Sequence, residues 1–164
     1  MAVEVTIGAL GAAEGPVDIK GEGFHPGPYS RSEALMPLPV TAVAAALLTA
    51  LYLVLCIRVI GQRRARGIAL GTGHPALERA YRAQANFAEY VPLGLILLGL
   101  LEGPRAPVPL VFGLAAALVL GRALHAFGIS REPEELRFRV AGMVLTFAML
   151  AATGLLLAGF ALAG

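Results

Sequence analysis

The chain has 164 residues, 57% of them hydrophobic and 15% charged, with a formal net charge of +2. A soluble domain carries roughly 25% charged and 45–50% apolar residues, so a mean hydropathy of +0.75 speaks against a soluble enzyme and for a protein solvated by lipid. The charge is uneven: residues 1–35 hold Lys20 and Arg31 against Glu4, Glu14, Asp18, Glu22 and Glu33, whereas eleven arginines and six glutamates follow from residue 36 onward. These arginines collect at the ends of apolar runs, a pattern that does not suit a nucleic-acid partner. The single cysteine, Cys56, forms no intrachain disulfide and offers no metal-ligand spacing.

Residues 1–35 are rich in Gly and Pro and contain no long apolar run. They lack the basic start and apolar core of a secretory signal, and their composition predicts a disordered extension. A second reading stands beside it, in which Met36, just ahead of the first apolar run, is the true start. From there the hydropathy predicts an all-α membrane protein with four transmembrane helices, at about 38–60, 83–101, 107–129 and 140–163. The first contains the charge-free run Leu38–Ile57, and the last carries no charge at all. Only Leu-Glu-Gly-Pro-Arg-Ala separates the second span from the third, which makes them antiparallel neighbours. Arginine is concentrated after the first span (Arg58, Arg63, Arg64, Arg66, Arg79, Arg82) and after the third (Arg131, Arg137, Arg139). Loops 61–82 and 130–139 are therefore expected in the cytoplasm and both termini outside it, as in a multi-pass integral membrane protein.

The second span carries most of the polar information. Pro75 and Glu78 mark its helix start. Arg79, Arg82, Asn86 and Glu89 follow at spacings of three, four and three, which places them along one helical stripe. Polar groups in an apolar helix turn toward protein or trapped water, not lipid. They can serve as interhelical glue, but a carboxylate with an arginine partner on one stripe favours a binding site. Pro92 is expected to bend the helix just beyond it. Arg122 and His125 share a face near the end of the third span; His125 reads equally well as an interfacial histidine or a site residue. Tyr90 reads equally as a membrane-interface anchor or a ligand contact, and Arg63 and Arg64 as topology signals or ligand contacts. His25 and His74 read as loop residues. A pocket at the mouths of helices two and three, rich in arginine, suits an anionic ligand with carboxylates.

The run Glu78 to Leu93 resembles the signature of the MAPEG family (membrane-associated proteins in eicosanoid and glutathione metabolism), through Arg-x-x-x-Asn-x-x-Glu-Tyr-x-Pro-Leu from Arg82 to Leu93. Gly-Arg-x-x-His at Gly121–His125 and Arg-Val-Ala-Gly at Arg139–Gly142 are similar to the family's third and fourth helices, in the manner of its short bacterial members. The resemblance implies a four-helix bundle assembled as a homotrimer, with glutathione as co-substrate bound between subunits near the cytoplasmic side and no metal. By motif, Arg82, Gln84, Asn86, Glu89, Tyr90, Arg122 and His125 would hold glutathione, Arg63 or Arg64 would meet one of its carboxylates, and Arg139 would stabilise its thiolate. Ile129 stands where well-studied members carry a Tyr that contacts glutathione.

The function implied is a membrane-bound glutathione-dependent transferase or peroxidase acting on hydrophobic small molecules drawn from membrane lipid. Two alternatives are a non-catalytic protein of the same fold and a small multidrug exporter. The exporter class needs a carboxylate in the first helix, where Leu38–Ile57 has none.

Overall fold

The computed structural model describes residues 38–103 and 106–163; the expected extension at 1–35 and the start at Met36 lie outside them. Four helices follow one another: α1 (Pro39–Arg66), α2 (Pro75–Leu101), α3 (Val108–Ser130) and α4 (Leu136–Ala163). Each is long and apolar enough to cross a membrane, and a 27-residue helix such as α2 reaches about 40 Å, beyond the ~30 Å hydrocarbon layer. Among the described residues there is no strand.

Local chemistry sets the boundaries. α1 opens with Pro39 in its first turn and ends where Gly67 turns left-handed (φ 64°), its N–H returning to the carbonyls of Arg63 and Arg64. Arg63, Arg64 and Arg66 occupy the last turn, where cations complement the helix dipole. α2 starts at Pro75, and His74 is no plain loop residue: its Nδ1 accepts the Ala76 N–H at 3.2 Å and caps the helix. α2 runs unbroken through Pro92. The helices extend further toward this end than hydropathy alone indicates, because arginines and glutamates are good helix formers once outside the lipid. The loops shrink to 67–74 and 131–135, and Arg63, Arg64, Arg79, Arg82, Arg137 and Arg139 all lie on helices.

α1 packs on α2 and α3, and α4 packs on α2 and α3, while α1 and α4 do not meet. The shared core joins Leu48 and Leu55 of α1, Phe87, Val91 and Leu98 of α2, Val111 and Leu118 of α3, and Met149 of α4. A smaller cluster of Val59, Leu77 and Ala80 closes the end that carries the two arginine-rich loops. Large apolar side chains such as Val43, Ile57, Leu100, Phe112, Val144 and Leu155 face outward, which in lipid carries no hydrophobic penalty. α3 and α4 approach closely: a Cβ on Gly142 would lie 2.5 Å from both the Gly121 carbonyl oxygen and the His125 nitrogen, so these backbones meet only through glycine.

At the opposite end, Glu102 ties α2 to the start of α1. Its two carboxylate oxygens accept the N–H groups of Val40 and Thr41, each at 2.7 Å. These are orphan donors at a positive helix terminus. Partial burial pushes the carboxyl upward, but the hydrogen bonds from Thr41 and Val40 outweigh it and hold Glu102 below the ordinary carboxylate range.

Candidate functional site

The polar stripe of α2 faces the gap between α3 and the start of α4. There it lines a cavity of about 400 Å³ together with residues of those helices, within the size range of small-molecule sites. From α2 come Glu78, Arg79, Arg82, Ala85, Asn86 and Glu89; from α3, His125 and Ile129; from the α3–α4 connection, Glu134; from α4, Arg139. The earlier start of α4 is what brings Arg139 onto a helix and into the cavity wall.

The lining is balanced in charge. Arg79, Arg82 and Arg139 stand against Glu78, Glu89 and Glu134, so the cavity is not the simple anion sink that the arginine count suggests. Arg82 Nε donates to Glu78 at 3.0 Å, one helical turn back. Arg79 pairs with Glu132 at 2.5 Å, and Arg139 pairs with Glu134. The expected pairing of a buried Glu89 with a stripe arginine does not occur: Glu89 is exposed in the single chain, Arg82 is taken by Glu78, and none of the ion pairs among the described residues includes Glu89. Counting 14 residues from Pro75, Glu89 lies about 21 Å along the helix, near its middle.

Behind the cavity, Arg122 is the organising group. It is 1% exposed and does not line the cavity. Its Nη1 donates to Asn86 Oδ1 at 2.8 Å and its Nε to Thr146 Oγ1 at 3.0 Å; Nη2 is 3.3 Å from Met143 Sδ. The Thr146 hydroxyl donates in turn to the Gly142 carbonyl at 2.8 Å. One guanidinium thus joins α2, α3 and α4. Its Cζ also lies over the Tyr90 ring, 5.4 Å from the centroid, and Tyr90 meets Phe147 edge-on. His125 is 4% exposed, with its remaining surface turned to the cavity.

The other residues singled out from sequence fall elsewhere in the single chain. Gln84 faces α1, its Nε2 3.5 Å from the Tyr52 hydroxyl and 3.4 Å from Cys56 Sγ. Arg63 donates to the carbonyls of Ala69 and Gly71 and folds the α1–α2 loop, while Arg64 is exposed. Glu134 was not singled out from the sequence. Its spacing five residues before Arg139 becomes informative only once α4 is known to begin at Leu136. Glu78 was read from the sequence only as a helix-start signal; its i,i+4 pairing with Arg82 is a standard helix-surface contact.

Among the described residues no group of three His, Cys, Asp or Glu side chains is placed to hold a metal ion. The donor set is otherwise suited to a small zwitterion: guanidinium groups for carboxylates, free carboxylate oxygens for an ammonium, and an amide fixed from behind.

Among curated proteins none matches the chain. The family model of the MAPEG family matches residues 41–159, which takes in most of all four helices, the polar stripe, Arg122, His125 and Arg139. With four spanning helices and that match, the chain is a multi-pass membrane protein that belongs to the MAPEG family.

Proposed function

We propose that the chain is a glutathione-dependent transferase or peroxidase acting on apolar electrophiles, and that it works as a homotrimer. The observation that carries this reading is the cavity between α2, α3 and α4, in which Arg82, Asn86, Glu89, His125 and Arg139 converge. These are the residues that family resemblance associates with glutathione, and the cavity offers both cationic and anionic partners to a tripeptide with carboxylates and an ammonium.

The bound tripeptide would supply a thiol, whose ordinary pKa of about 8.5 leaves little thiolate at neutral pH. A guanidinium at the sulfur favours the charged form, and Arg139 is the cavity arginine assigned that task. Asn86 is fixed by Arg122 before ligand arrives, so its orientation costs little on binding. Arg82 and Arg79 would meet carboxylates, and Glu89 the ammonium. The thiolate so held would attack an apolar electrophile that enters from the lipid side.

Self-association is supported by Glu89 and by Arg82, whose side chain is 68% exposed in the single chain. A charged carboxylate near the middle of a spanning helix is costly against lipid. A second copy of the chain would cover that face and could bring Gln84, Arg63 and Arg64 of a neighbour toward the cavity. The arginines flanking loops 67–74 and 131–135 would place both on the cytoplasmic side.

The test is turnover and binding in lipid nanodiscs. Wild type should conjugate glutathione to an apolar electrophile, or reduce an apolar hydroperoxide, and Arg82→Ala and Arg139→Ala should lose that activity while remaining assembled. An assembled wild type that fails to bind glutathione contradicts the proposal. Binding without turnover would favour the ligand-holding, non-catalytic reading, for which Ile129 in the cavity wall is the specific observation.

A further inference from the structure

Each arginine lining the cavity is already answered by a glutamate of the same chain: Arg82 by Glu78, Arg79 by Glu132 and Arg139 by Glu134. Two of these carboxylates come from the short α3–α4 connection, residues 131–135. That connection is not a loose strap. A Cβ on Gly128 would lie 2.6 Å from the Arg139 backbone nitrogen and 2.8 Å from the Glu135 carbonyl oxygen, so the start of α4 is seated directly on α3. The Glu135 N–H donates to the Gly128 carbonyl at 3.2 Å, and the Arg139 N–H to the Glu135 carbonyl at 3.3 Å. With the backbone held beyond Glu134, its carboxylate leaves Arg139 by side-chain rotation, not by loop opening.

We propose that Glu134 is a built-in counterion that determines which ligand form Arg139 accepts. This inference rests on the glutathione reading above. In the ligand-free site Glu134 neutralises Arg139. A neutral thiol gains nothing by displacing a carboxylate from a guanidinium, whereas a thiolate replaces one anion with another. The exchange is balanced: the thiol proton passes to water, the sulfur takes the place of the carboxylate at Arg139, and the Glu134 carboxylate is released to solvent. Both partners are partly exposed, Arg139 at 43% and Glu134 at 36%, so the pair is weak enough to be exchanged yet strong enough to weigh against uncharged competitors. Glu135, next along the chain and exposed, carries the same charge with no ion pair to Arg139, and serves as the control.

The first experiment needs no ligand. Full-length wild type, Glu134→Ala and Glu135→Ala in detergent are treated with phenylglyoxal, and modification of Arg139 is followed by peptide mass spectrometry. Arg139 should react about two- to fivefold faster in Glu134→Ala, the range expected for loss of an exposed pair, and at the wild-type rate in Glu135→Ala. Equal rates in all three overturn the counterion. The same proteins are then titrated with glutathione by calorimetry. Affinity should rise about two- to fivefold in Glu134→Ala and stay unchanged in Glu135→Ala. Unchanged or weaker binding by Glu134→Ala, with wild type binding normally, overturns the exchange. A wild type that binds no glutathione while the labelling contrast persists overturns the glutathione reading and the exchange, and leaves the Glu134–Arg139 pair itself standing.

Discussion

Replacing Arg122 by Met removes the group that joins α2, α3 and α4 while keeping much of its volume. Thr146 keeps its bond to the Gly142 carbonyl, so the loss falls mainly on Asn86, whose Oδ1 loses a 2.8 Å charge-assisted partner. A hydrogen bond to a charged group contributes about 1.5–3 kcal/mol, and leaving a buried neutral acceptor without its partner costs about 1–3 kcal/mol. Removing the guanidinium also relieves its own desolvation, which offsets part of this. The net expectation is a destabilisation of about 1–3 kcal/mol, read by thermal unfolding in detergent with circular dichroism. Well below the melting temperature the assembled variant should also bind glutathione more weakly, although Arg122 does not line the cavity, because Asn86 is no longer held in one orientation. Arg122→Lys should recover part of the stability but not the paired contacts to Asn86 and Thr146, since an ammonium lacks the guanidinium fork. Wild-type melting together with wild-type affinity in Arg122→Met would refute the role assigned to this residue.

Further outcomes follow from the same geometry. Glu102→Ala should destabilise the bundle by about 1–2 kcal/mol through loss of the α1 cap, measured by the same melts. Because the folded carboxyl lies below its unfolded value of 4.5, the contribution of Glu102 is complete above that value and is lost as pH falls through the folded pKa; melting temperature should fall less steeply on acidification in Glu102→Gln than in wild type. Gly142→Val should fail to assemble or melt far below wild type, since its Cβ would meet backbone atoms of α3 at 2.5 Å and backbone cannot yield as a side chain does. Arg82→Ala should melt like wild type, its partner Glu78 being a neighbour on the same helix surface, yet lose about tenfold or more in glutathione affinity, as expected for one charged hydrogen bond.

The four spans were legible because lipid imposes a simple rule, a long apolar run, that needs no tertiary information. The stripe Arg79–Arg82–Asn86–Glu89 was legible for a similar reason, since helical periodicity alone puts those residues on one face. The depth of Arg122 was not legible. Its spacing from His125 is the same whether it lines a cavity or stands behind it, and only the approach of α4 through Gly142 decides the matter. The Glu102 cap joins residues 61 and 62 apart in sequence, and no local pattern announces it. Glu134 was hidden because charged residues after the third span read as loop, whereas α4 begins inside that stretch at Leu136. Gln84 belongs to the same motif as Asn86 but points at Tyr52 and Cys56, since two residues along a helix rotate the side chain to another face.

On the proposed function, Arg139 holds a glutathione sulfur as thiolate in the cavity between α2, α3 and α4. The detergent-solubilised protein is titrated with glutathione and followed by the ultraviolet absorbance of bound thiolate, with Arg139→Ala alongside. A saturable thiolate signal is expected in wild type and its loss in the variant. An equal signal in both proteins, or none in an assembled wild type that binds glutathione, would contradict it.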